Sequence, residues 1–106
     1  MSLINPYLDL VIASGAMAGA GALAYQRGCV LTRNAAGVYF LDLDRQAGPT
    51  ECVVKVTCRT ADRNASVAHT SATRKTITTR TIAAAPANSN CDFDVKVMRV
   101  SGGANR

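Results

Sequence analysis

Residues 51–59 read Glu-Cys-Val-Val-Lys-Val-Thr-Cys-Arg, and this run constrains the chain more than any other. Side chains of an extended strand alternate between two faces. Cys52, Val54, Val56 and Cys58 therefore share one side, while Glu51, Lys55, Thr57 and Arg59, with Val53, take the other. Such a half-wet strand belongs to an antiparallel sheet with one face buried against a second layer. Residues 91–100 repeat the pattern, with Cys91, Phe93, Val95 and Val97 inward and Asp92, Asp94, Lys96 and Met98 outward. Two strands of this kind predict one shared core made of Cys52, Val54, Val56, Cys58, Phe93, Val95 and Val97.

Further strands are marked by their turns. Cys29–Asn34 and Val38–Asp44 flank Ala35-Ala36-Gly37, which reads as a hairpin with glycine where a positive φ is needed. Ala65–Ser71 and Lys75–Ile82 flank Ala72-Thr73-Arg74 and read as a second hairpin, threonine-rich as strands are. Ile77 and Ile82 have opposite parity, so either a bulge intervenes or Ile82 points away from the core. Strands recurring every 8–12 residues or about that, with short turns, predict an all-β fold. The expectation is a small antiparallel β-sandwich or barrel of about six to eight strands with an extended N-terminal arm. At 106 residues the chain has the length of one domain. The expected division is an arm over residues 1–20, a sandwich over 21–100 and a tail over 101–106.

The N-terminal segment has a different texture. Leu3, Ile4, Tyr7, Leu8, Leu10, Val11 and Ile12 are apolar yet precede the clear sandwich pattern. Large apolar side chains in a contiguous group are not left in water. Pro6 disfavours helix at Asn5, so the first residues are expected to run extended. Leu8–Ala13 reads as a strand or a helical turn, and the small-residue run Ala16–Tyr25 as a strand in close backbone contact or an arm on a partner. We therefore expect the seven apolar residues to form an anchoring arm that binds a partner or a neighbouring copy. Lys and Arg are absent before Arg27, and Asp9 interrupts the apolar run, so neither a signal peptide nor a membrane span is expected. The chain reads as made in a cytoplasm and left unprocessed.

That compartment bears on Cys29, Cys52, Cys58 and Cys91. Cys52 and Cys58 are about 20 Å apart along one strand and cannot bond to each other. Without a Cys-x-x-Cys pair, and with His69 far along the chain from all four, a zinc site has little support. Buried reduced thiols are the expectation. Cys29–Cys91 is the pair to consider if any oxidise.

Candidate chemistry is sparse. Asp42/Asp44 and Asp92/Asp94 each fall on one strand face about 7 Å apart. Paired carboxylates suit glycoside hydrolysis or calcium, but these lack a calcium loop's spacing. They read instead as a solvated face balanced by Lys55, Arg59 and Lys96. His69 beside Thr70 and Ser71 lacks a nucleophile elbow and reads as a packed or solvated histidine. Gly19-Ala-Gly21 is not a phosphate loop. No catalytic residue, metal ligand, cofactor or small-molecule substrate is assigned, and an enzyme is not expected. The net charge of +5 suits an acidic partner. The basic residues are scattered and not interleaved with aromatics, so nucleic acid is disfavoured.

The order of these motifs resembles a small β-sandwich module of tailed-phage virion proteins. The features are the run GCVLTRNAAGVYFLDL over 28–43, the Val-rich strand Cys52–Thr57, the Thr/Lys hairpin His69–Ile77 and the closing Asp92–Val97. Such modules occur in capsid decoration (cement) proteins, head fibres and tail-fibre tips, often as homotrimers. The resemblance implies a structural protein without a cofactor, whose partners are the major capsid protein and itself. It implies a place on the outer capsid surface after assembly in the host cytoplasm. The chain has no coiled-coil or collagen-like stalk, which favours decoration over a long fibre. A fibre-tip or receptor-binding module is the alternative, and a small basic nucleic-acid-binding β-barrel comes behind it.

Overall fold

Period-two patterning carries over into the fold strand by strand. The computed structural model describes residues 11–48, 50–83 and 85–99. It contains eight strands: β1 Val11–Met17, β2 Leu23–Arg27, β3 Cys29–Ala35, β4 Val38–Leu43, β5 Cys52–Cys58, β6 Arg63–His69, β7 Arg74–Thr81 and β8 Phe93–Arg99. They form two four-stranded sheets in the orders β2-β1-β8-β5 and β3-β4-β7-β6. Every pairing is antiparallel. The fold is thus all-β, a two-layer sandwich as the alternation requires.

The core lies between the sheets. β8 contributes Phe93, Val95 and Val97, β4 Tyr39, Leu41 and Leu43, and β7 Ile77; Cys52 closes one end. Val54 and Val56 pack against this cluster only partly buried, because β5 is an edge strand. Cys58, at the end of that edge, is half-buried. Tyr39 and Phe93 meet as a tilted aromatic pair with centroids 4.8 Å apart, a geometry the ring quadrupoles favour. The Tyr39 hydroxyl donates to the Gly19 carbonyl at 2.8 Å and accepts from the Cys91 amide at 3.2 Å. One buried phenol thus ties the β1–β2 turn to the segment leading into β8. Ile82 is 62% exposed, one residue past the end of β7. Its odd parity reflects the strand's end and needs no bulge.

The expected arm needs correction. Residues 11–17, assigned to it, form β1, which pairs with β2 on one side and β8 on the other. Val11 and Ile12 belong to that strand, and Ala13, Ala16 and Met17 are buried. The sequence offered a strand here only as one of two readings, because most of its buried positions carry small residues. Gly15 is one of them: a Cβ there would stand 2.6 Å from Leu31 Cδ1. Leu3, Ile4, Tyr7, Leu8 and Leu10, and the tail over 101–106, lie outside the described residues. β2 lies inside the range expected for the sandwich, and Gly28, at φ +72°, turns the chain from it into β3 of the other sheet.

Candidate interaction surface

The outer face of the β2-β1-β8-β5 sheet collects the most unusual surface chemistry. Register places Arg27 beside Ser14, Ser14 beside Lys96, and Lys96 directly opposite Lys55. Three exposed cations therefore share one row across the sheet. The next row runs Tyr25, Ala16, Asp94, Thr57. Tyr25 is 51% exposed and Leu23, two residues along β2, is 44% exposed. Val53 adds an apolar side chain at the far edge, half in water. A shallow depression of about 360 Å³ between the rows is lined by Tyr25, Lys55, Thr57, Asp94, Val95 and Lys96.

The only carboxylate in that depression is already engaged. Arg59 Nη1 lies 3.2 Å from Asp94 Oδ1, in an exposed pair. Such pairs contribute little to stability, but this one partly neutralises the acid. Among the described residues neither Lys55 nor Lys96 has a carboxylate within ion-pair distance. The expected balancing of the Asp-x-Asp pairs by Lys55, Arg59 and Lys96 therefore holds for Arg59 alone. Asp42 instead takes a two-pronged bond from Arg74, at 2.8 and 3.2 Å. Asp44 lies just beyond β4, and Asp92 accepts the Gly19 amide at 2.7 Å. The carboxylates thus face different partners, which dismantles the paired-acid arrangement. No group of His, Cys, Asp or Glu with metal-holding geometry occurs among the described residues.

On the outer face of the second sheet, the Arg74 guanidinium sits 4.1 Å above the Phe40 ring centroid. Its hydrogen bonds to Asp42 raise its already high pKa. Around this cluster the register sets small hydroxyls: Thr32 beside Phe40, Phe40 beside Thr76, and Thr78 beside Ser66.

Two basic groups point inward. Lys75 is completely buried, and its ammonium donates to the carbonyls of Ala47 at 2.5 Å and Ser71 at 2.9 Å. It pins the β4–β5 connection against the β6–β7 turn. Its parity with Ile77 and Thr79 on β7 was the sequence signal for this inward placement. His69, opposite Lys75 in register, has a buried Nδ1 without a hydrogen-bond partner. Neither stands next to an activated nucleophile.

The thiols are free. Burial pushes the Cys29 and Cys52 thiols up from their ordinary pKa. Cys29 Sγ donates to the Ser14 carbonyl at 3.7 Å and Cys91 Sγ to the Asp92 carbonyl at 3.1 Å. The Cys29–Cys91 pairing considered from sequence is not formed. The sequence reading also missed Leu23 and Tyr25 as surface residues. Their period-two spacing with Arg27 was visible, but the surrounding alanines and glycines masked it. No helix among the described residues is long and apolar enough to cross a membrane. Comparison with protein-family models, with curated proteins and with solved structures finds no match.

Proposed function

We propose that the chain is a structural virion protein, a capsid decoration (cement) module that binds the outer surface of a phage head as a homotrimer. The observation that carries this reading is the cationic row Arg27, Lys96 and Lys55 beside exposed Tyr25 and Leu23. Like charges directly opposite each other weaken a sheet. An acidic surface laid over the row removes that repulsion and adds electrostatic complementarity. Tyrosine and arginine are also the side chains enriched at the centres of protein interfaces. The net charge of +5 favours the same kind of partner. The order of strands and turns from Gly28 to Val97, with its resemblance to phage surface modules, favours the major capsid protein as that partner.

Stabilisation follows from mass action: a module that binds only the assembled shell shifts the equilibrium toward it. The test mixes the purified chain with empty heads of the phage that carries it and follows co-sedimentation and copy number. Saturable binding in hundreds of copies, lost in the double variant Lys55→Glu/Lys96→Glu, supports the reading. A chain that stays in the supernatant overturns it, and a copy number in the tens moves the assignment to a fibre tip.

A further inference from the structure

Asn90 lies where the β1–β2 and β3–β4 turns and the start of β6 meet the segment leading into β8. Its backbone is held on both sides: the Ser89 amide donates to the Thr79 carbonyl at 3.0 Å and the Cys91 amide to the Tyr39 hydroxyl at 3.2 Å. The Asn90 side-chain oxygen accepts from the Gly37 amide at 3.1 Å and from Arg33 Nε and Nη2 at 3.4 and 3.3 Å. Its backbone carbonyl accepts from Arg63 Nε at 3.1 Å. Arg63 Nη1 reaches the carbonyls of Ala61 and Asp62. β3 and β6, which carry the two arginines, are the opposite edges of their sheet. Two guanidiniums are thus drawn from both edges onto one residue.

Every acceptor in this set is a neutral oxygen. Among the described residues neither Arg33 nor Arg63 has a carboxylate within ion-pair distance. Asp62 gives Arg63 its backbone carbonyl, Asp92 accepts the Gly19 amide, and Asp94 is taken by Arg59. Donors are left over: Arg33 keeps Nη1, Arg63 keeps Nη2, and the Asn90 side chain, its oxygen engaged, has only N–H groups to offer. Arg33 is exposed and Arg63 half-buried, so these groups are open to a ligand. A set made only of donors, two of them charged forks, selects an oxyanion, and the guanidinium fork matches phosphate oxygens. We propose that Arg33, Arg63 and Asn90 form a phosphate-binding site at this end of the sandwich, taking free phosphate or the phosphate ester of a sugar. The phosphate sits over the Asn90 amide within reach of both forks, and its charge offsets the repulsion between them. The forks are held by their hydrogen bonds before the ligand arrives, which lowers the ordering cost of binding. The site shares no residue with the cationic row Arg27, Lys96 and Lys55 and does not depend on that row binding a shell.

The experiment titrates the full chain with sodium phosphate, and separately with glucose 1-phosphate, at an ionic strength held constant with sodium chloride. Nuclear magnetic resonance follows the arginine Nε–H, Gly37 amide and Asn90 side-chain amide signals. Saturable shifts there, absent with chloride alone, support the site. Tighter binding of the free ion makes inorganic phosphate the ligand, and tighter binding of the ester makes it a sugar phosphate. Arg33→Lys and Arg63→Lys each keep the charge but lose the fork, so each should weaken binding about tenfold. Arg33→Gln/Arg63→Gln should abolish it, and Lys55→Gln/Lys96→Gln should bind as the parent does. Circular dichroism checks the fold of each variant, and the two lysine variants decide the outcome if the double glutamine variant does not fold. Signals that do not move or never saturate, shifts centred on Lys55 and Lys96, or lysine variants that bind as tightly as the parent overturn the proposal.

Discussion

Phe93 is the residue on which the core turns. It is completely buried, packs on Tyr39, and sits on the strand that pairs with both β1 and β5. Truncating a buried phenylalanine removes transfer free energy and leaves a cavity. Phe93→Ala should therefore lower stability by about 3–5 kcal/mol in denaturant unfolding, a large share of what a small domain has. A near-native midpoint in that variant would remove Phe93 from the centre of the core. The thiols make a second residue-scale prediction. Burial raises the pKa of Cys29, Cys52 and Cys58 above their ordinary value of 9.0, Cys58 to about 11. A raised acid pKa means the fold favours the neutral thiol. The associated stability is complete below pH 9.0 and is lost as pH climbs toward about 11. In reducing buffer the thermal midpoint should fall across that window. It should fall less in the triple variant Cys29→Ala/Cys52→Ala/Cys58→Ala, and equal slopes for the two proteins would contradict the argument.

At the scale of elements, the crossing from β2 to β3 is the tightest joint in the sandwich. Gly28 takes φ +72° there, and a Cβ at that position would collide with the Ile12 carbonyl oxygen of β1. Left-handed backbone costs an L-residue roughly 1–2 kcal/mol before any clash is counted. Gly28→Ala should thus destabilise by at least about that much, seen as a lower urea midpoint at unchanged slope. Gly48→Ala is the control, since its Cβ would meet only the Glu51 carboxylate; equal losses in the two variants would show that the crossing is not special. β2 is a different kind of element, an edge strand with every residue exposed. Edges of this sort invite pairing or coverage by another chain, which is consistent with the assembly proposed above.

The whole molecule is a thin sandwich whose large side chains are few. Association is a usual remedy for small domains without disulfides. The homotrimer is expected to show in light scattering at micromolar concentration as three times the chain mass, and a monomer there counts against it. The seven residues named for the anchoring arm are now divided: Val11 and Ile12 are in β1, and the other five precede the described residues. Deleting residues 2–10 removes none of the eight strands. On the proposed reading the truncated chain keeps its β-rich circular dichroism but binds phage heads more weakly. Undiminished binding would confine those apolar residues to packing on their own chain.

Much of this fold was legible in the sequence, for a physical reason. A strand with one wet face must alternate, so the runs 51–59 and 91–100 declared β5 and β8 and their inward residues, although both runs extend a residue or two past the strands at Cys52–Cys58 and Phe93–Arg99. The β3–β4 hairpin declared itself by Gly37, whose φ is +70°. Local chemistry was silent where packing, not polarity, defines the strand. β1 is buried through Ala13, Gly15, Ala16 and Met17, and small residues carry no alternation until a second backbone lies against them. Register across the sheet is likewise non-local. Only tertiary structure set Lys55 opposite Lys96, gave Asp42 to Arg74 and put the Ala47 carbonyl against the inward Lys75 ammonium. Each depends on residues far apart in the chain, and a slip of one position would move every one of those side chains to the other face.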